Sequence, residues 1–345
     1  NPMNTAMDLR ELPKIDLHCH LDACVRVATA TEIARELRLN VPESVAEALV
    51  APPLCHDLMD YLKRIDFALE VMQREQDLER IAFELVEDFR DDGVIYAEVR
   101  FAPQLHTRRG LSFRDVVNAV HRGLKNGHEQ YGVRTSLIFC CVRQQGPAVS
   151  LKVARLAADN RDKVCAIDLA GDEAGFEGSL HAAAFDLARE EALHRTVHAG
   201  EAAGSHRIRE AIDVLGAERI GHGVRLTEDA KLMSVIKDRA IALEVCPRSN
   251  VQTRAVDSYE AHPIDRLLKQ GLRVTVNTDG RTLSSTSCTQ EFQDLITHKN
   301  WTLDEFWRCQ QHAAAAAFAP ADTRQFLEGA VQSSRLSQLQ NPRSI

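Results

Sequence analysis

A chain of 345 residues, 44% of them hydrophobic, is long enough for one large barrel-type domain, a class that runs from about 250 residues upward. The formal net charge of −8 comes from acidic and basic residues interspersed along the chain; without a basic stripe to track a phosphate backbone, nucleic acid is not an expected partner. No apolar run approaches the ~20 residues of a membrane-spanning helix, and nine cysteines without CxxC pairs give neither a disulfide framework nor a cysteine-type zinc finger.

In chain order, the opening residues NPMNTAMDLREL lack the basic start and apolar stretch of a secretory signal, so the expected location is cytoplasmic. Short β-rich segments then alternate with longer stretches of helical spacing, the pattern of parallel βαβ units. Eight strands are predicted at residues 14–20, 94–103, 133–142, 164–171, 195–201, 219–223, 241–247 and 273–279. Cys19, Cys140, Cys141, Cys165 and Cys246 fall within them and are expected to be buried as small apolar side chains. A long excursion, 29–89, follows the first strand; Leu58, Met59, Tyr61, Leu62, Ile65 and Phe67 lie in its middle at helical spacing. Leu78, Ile81, Ala82, Leu85, Val86 and Phe89 share one helix face that stops before Gly93, a C-terminal break. After the eighth strand a helical tail is expected from 302 to about 336, giving way to polar, Pro-containing residues that fray. With no linker and no internal repeat, residues 1–345 read as one (β/α)8 domain with extra helices after the first strand and at the end.

In such a barrel the chemistry sits at the C-terminal ends of the strands. His18 and His20 close the first strand at i and i+2, on the same side of the pleat, with Cys19 pointing the other way. Two imidazoles converging on one point suit a metal. The fifth predicted strand ends in HAGE, which brings His198 and Glu201 to the mouth around a turning glycine. The sixth supplies His222 in RIGHGV, and the eighth ends in VTVNTDG with Asp279. A buried carboxylate there is costly unless it is coordinated or paired.

The segments KIDLHCHLDA, EVRFAPQL, AIDLAGDE, VHAGE, RIGHG, LEVCPRSN and VTVNTD together resemble the adenosine deaminase branch of the amidohydrolases, from about residue 12 to about 327. The resemblance implies that His18, His20, His198 and Asp279 hold one Zn2+, and that Glu201, His222 and Asp279 are catalytic. His20, Asp22 and Gly171 would border a purine nucleoside, Asp22 holding a sugar hydroxyl and the Gly171 backbone N–H meeting purine N3. The implied reaction is hydrolytic removal of the 6-amino group, with no organic cofactor. Without the resemblance, Asp22 reads equally well as a turn residue. Oligomeric state is not read from these features.

Two positions depart from the family's pattern. Gly280 stands where the family often has a second Asp poised to bond purine N7, and Ala23 stands where it usually has Gly. Both bear on substrate choice, and a 5′-modified adenosine or another 6-amino purine is an alternative to adenosine. Other classes fit less well. A two-metal amidohydrolase would commonly have a bridging Lys at the end of the fourth strand, which here reads AIDLAGDE. The cytidine-deaminase signature of HxE and PCxxC is missing. A non-catalytic nucleoside-binding barrel would have shed at least one of the six polar residues at the strand ends.

Overall fold

The structure, a computed structural model, describes residues 7–41 and 44–340. Eight parallel strands follow one another in spatial order, β1 (Lys14–His20), β2 (Val94–Phe101), β3 (Arg134–Val142), β4 (Val164–Ala170), β5 (His194–Ala199), β6 (Arg219–His222), β7 (Ala242–Val245) and β8 (Arg273–Val276). This is the expected (β/α)8 barrel, and all eight strands fall where alternation of patterns put them. The residues after Phe89 confirm the helix stop as well: the helix Glu75–Asp91 buries Leu78, Ile81, Ala82, Leu85, Val86 and Phe89 and ends before Gly93, whose φ is +74°. Of the five cysteines expected in strands, Cys246 falls just past β7 at the start of the next helix, and Cys165 is only partly buried.

Most predicted strands run past the observed ones at their C-terminal ends, and the reason is local. At the mouth the chain leaves the extended region abruptly, with φ of +103° at Gly171, +73° at Gly200, +64° at His222 and +62° at Asp279. Only glycine enters the left-handed region freely, so the two non-glycine residues carry backbone strain of about 1–3 kcal/mol each. Both are residues that the sequence singles out for chemistry.

The excursion after β1 forms short helices, Val27–Glu36, Val45–Leu49, Leu58–Leu62 and Ile65–Glu70, ahead of Glu75–Asp91. Ala23, Ala51, Cys55, Leu58, Tyr61 and Leu283 build a small apolar cluster of their own over the mouth. The tail is two helices, Leu303–Ala316 and Ala321–Gln340, so helix persists to residue 340. The expected fraying of the last residues, 341–345, and the reading of the first six lie outside the described residues.

β8 meets β1 through a single pairing, Cys19 with Asp279. There the His20 N–H donates to the Asp279 carbonyl at 2.8 Å and the Asp279 N–H to the His18 carbonyl at 2.9 Å. The side chain of Asn277 adds an acceptor for the Leu17 N–H, 2.8 Å away. No described helix is long and apolar enough to cross a membrane.

Candidate active site

A cavity of about 360 Å³ opens at the C-terminal mouth of the barrel, within the size range of small-molecule sites. Its floor carries His20, Asp22, Gly171, His198, Glu201, His222 and Asp279, and Leu58, Met59, Leu62, Ile65 and Phe101 are among its apolar walls. The metal, catalytic and substrate-binding residues expected from the sequence thus line one space, apart from the fully buried His18 beneath it; Ala23 also lines it, whereas Gly280 does not. His18 is joined to it through Asp279: His18 Nε2 lies 3.2 Å, and His20 Nε2 3.4 Å, from Asp279 Oδ1. His20 Nε2 is also 3.2 Å from His198 Nε2.

The partners on the far side of each ring decide what its near side can do. His18 Nδ1 faces Glu244 Oε1 at 3.0 Å, and His198 Nδ1 faces Asp168 Oδ1 at 3.1 Å. Against an ionised carboxylate a ring nitrogen donates, which leaves the Nε2 lone pair for a metal. Both carboxylates are held ionised. Burial works against this, but the His198 ring and the Arg100 charge keep Asp168 well below the usual range, and Arg100 and Arg219 do the same for Glu244. Arg100 spans the two, reaching Asp168 at 3.1 Å and Glu244 at 3.0 Å, and Arg219 joins Glu244 to Glu98.

The donor set fits a metal ion. His18 Nε2 is buried and has no hydrogen-bond partner, an expensive arrangement unless a cation takes the lone pair. Ligand atoms of His18, His198, His222 and Asp279 lie within 4.8 Å of one another. His20 is not in that four-atom group yet touches two of its members, so five candidate donors surround one point. His222 differs from the other rings: its Nδ1 faces the Asn250 side-chain amide nitrogen at 3.0 Å.

Glu201 is buried with its Oε2 3.4 Å from His222 Nε2. Burial pushes its carboxyl well above the usual range, and the negative charges of Asp279 and Glu173 add to the effect. The turn carrying it is fixed by Glu173, which is fully buried and accepts from the N–H groups of Gly200, Glu201 and Ala202 at 2.6, 3.0 and 2.8 Å. Asp279 accepts from Ser249 Oγ at 2.7 Å. Burial raises the Asp22 carboxyl to about 6. At Gly171 a side chain would collide with the Gln144 carboxamide, and the same oxygen holds the next N–H, of Asp172, at 2.9 Å.

Asp168, Glu173, Glu244, Arg100, Ser249 and Asn250 received no role from the sequence, although all but Ser249 and Asn250 are charged residues set in or beside apolar strands. That setting is the signal: an ionic group between buried neighbours needs a partner. Which partner it finds depends on strands far apart in the chain.

Comparison with known proteins bears on this geometry. The family described as "Adenosine deaminase" matches residues 13–334. An adenosine deaminase of Clostridium perfringens is 38% identical over 331 residues, 93% of this chain and 98% of that protein. Among solved structures, an adenine deaminase from Arthrobacter aurescens superposes with a TM-score of 0.87 at 28% identity, covering 94% of this chain and 99% of that one. The N6-methyl-AMP deaminase from Arabidopsis thaliana gives a TM-score of 0.84 at 26% identity, covering 95% and 98%.

Proposed function

From the premise that this chain belongs to the adenosine deaminase family, and is a purine deaminase of the hydrolase class, we propose that it converts adenosine to inosine and ammonia with one Zn2+ per chain. The observation that carries the reading is the buried Glu201, its carboxyl pushed well above the usual range, beside His222 and the His–Asp cluster on the cavity floor.

His18, His20, His198 and Asp279 are the proposed ligands. His18 and His198 have their Nε2 lone pairs freed by carboxylates behind them, and His20 reaches both His198 and Asp279. Held by these four side chains, Zn2+ would supply the Lewis acidity that lowers the pKa of water toward neutrality. His222 orients the attacking oxygen toward purine C6, and Asp279 faces the same oxygen from the other side.

Addition at C6 pushes electron density onto N1, which must gain a proton. Glu201 supplies it: burial pushes its carboxyl well above the usual range, in the direction an acid for N1 needs. The C–N bond to the 6-amino group then breaks, ammonia leaves and a 6-oxo purine remains. The Gly171 N–H donates to N3, Asp22 accepts from a ribose hydroxyl, and His20 borders the sugar. The apolar walls from Leu58, Leu62 and Ile65 keep water from the reacting ring. The whole chain acts as one domain in the cytoplasm.

A second reading is favoured by Lys63 and Arg108, exposed cations on the cavity lining beside Asp66: a 6-amino purine with an anionic 5′ group. Deamination is followed by the ultraviolet change from 6-amino to 6-oxo purine, with adenosine, AMP and adenine compared on zinc-loaded protein beside Glu201→Gln. Fast turnover of adenosine that the variant abolishes is the expected result. An inert adenosine beside a reactive AMP selects the second reading, and a protein that binds no metal sinks both.

A further inference from the structure

His222 has an orientation problem that residues outside the cavity resolve. The Ile264 backbone N–H donates to His262 Nδ1 at 3.1 Å. A ring nitrogen that accepts carries no proton, so the neutral His262 ring bears its proton on Nε2. That atom stands 3.1 Å from Asn250 Oδ1 and donates to it. The contact settles which way the Asn250 amide faces, a choice that its shape alone does not make. Asn250 Nδ2 is then the atom 3.0 Å from His222 Nδ1, and an amide nitrogen only donates. His222 Nδ1 must accept, and the ring's proton is left on Nε2.

His222 Nε2 is buried and has no hydrogen-bond partner. It faces the gap between Glu201 Oε2, at 3.4 Å, and Asp279 Oδ2, at 3.9 Å. His18 and His198 are arranged the opposite way, with Nδ1 against a carboxylate. Three rings of one residue type around one point are thus sorted by what stands behind them.

We infer that the relay from the Ile264 N–H through His262 and Asn250 holds His222 as the Nε2–H tautomer. In that form His222 is a hydrogen-bond donor to the attacking oxygen, and neither a metal ligand nor the acceptor of that oxygen's proton. Asn250 and His262 are positioning residues that act through His222. The assignment of catalytic work to His222 rests on the deaminase reading, whereas the tautomer rests on the hydrogen bonds alone.

The test is a long-range proton–nitrogen correlation spectrum of the full chain labelled with 15N-histidine, recorded both metal-free and zinc-loaded, with His222→Gln and His262→Gln identifying the two signals. The expected spectrum shows His222 protonated at Nε2 and bare at Nδ1. Asn250→Asp puts an acceptor behind the ring and should move the proton to Nδ1, with kcat on adenosine falling about 10²-fold, the usual loss for one aligned donor, and KM changing less than kcat. A merely structural Asn250 would lower thermal stability without moving the proton. Wild-type His222 protonated at Nδ1 overturns the inference, and so does an Asn250→Asp enzyme whose proton has moved but whose kcat is unchanged. If that variant does not fold, the wild-type spectrum still decides the tautomer. An Nε2–H signal in a chain inactive on every purine supports the relay and sinks the deaminase reading instead.

Discussion

The methyl group of Ala23 occupies the place that a side chain on Gly280 would need: a Cβ built on Gly280 falls 2.5 Å from Ala23 Cβ. Both positions depart from the family's usual residues, and here they are one packing arrangement. The added carbon at 23 is accommodated because none stands at 280. Gly280→Asp alone should therefore cost about 1–3 kcal/mol by overpacking. Ala23→Gly combined with it should recover most of that loss. Urea denaturation of the two single variants and the double variant measures the coupling, and simple additivity would show that the two positions are independent.

Glu173 gathers three successive N–H groups of the turn that carries Glu201. Glu173→Ala leaves those donors without a partner and frees the turn, so kcat should drop by roughly 10²-fold, the scale seen when a supporting shell loosens, with a smaller change in KM. Glu173→Gln keeps one accepting oxygen and should fall between. Steady-state kinetics on all three proteins checks the order, and equal activities would show that Glu201 positions itself.

Asp168 and Glu244 stand behind His198 and His18. Asp168→Asn replaces a charged acceptor with a neutral one and should weaken metal affinity by about 10- to 100-fold, as loss of such an orienting partner typically does. Competition with a chelator gives the value directly. Unchanged affinity in both Asp168→Asn and Glu244→Gln would show that the rings are oriented by packing alone.

The barrel was legible in the sequence because each strand and the helix facing it announce themselves by their own periodicity. The floor of the cavity was legible for a different reason: His18, His20, His198, His222 and Asp279 sit at strand ends, and strand ends all meet at one rim. What stayed hidden is pairing across the barrel. Glu244 serves His18 from 226 positions away in the chain, and nothing local to either residue encodes that. Strand ends were overrun for a related reason, since left-handed φ at His222 and Asp279 is imposed by the site and not preferred by those residue types.

Away from the cavity, Glu291 is buried with the Arg248 N–H and the Thr286 hydroxyl donating to its carboxylate at 3.1 and 3.0 Å. Burial outweighs those bonds and pushes its pKa from 4.5 to about 8. The folded chain therefore binds this proton more tightly than the unfolded chain. Its contribution to stability is complete below pH 4.5 and is lost as pH rises through 8, with a slope approaching about 1.4 kcal/mol per pH unit between them. Glu291→Gln should flatten the decline over that window. Urea midpoints from pH 5 to pH 9 test this, and parallel profiles for the two proteins would exclude Glu291 as the source.

The single pairing between β8 and β1 places a lightly fastened joint of the barrel at Asp279, beside His18 and His20. An ion gripping those side chains also clasps the first strand to the last. Its binding energy then becomes resistance to unfurling, growing with the logarithm of free metal over the dissociation constant. Chelation should lower the melting temperature and speed amide exchange at His20 and Asp279 ahead of the rest of the barrel. The working life of each molecule would be set by how long it keeps its ion.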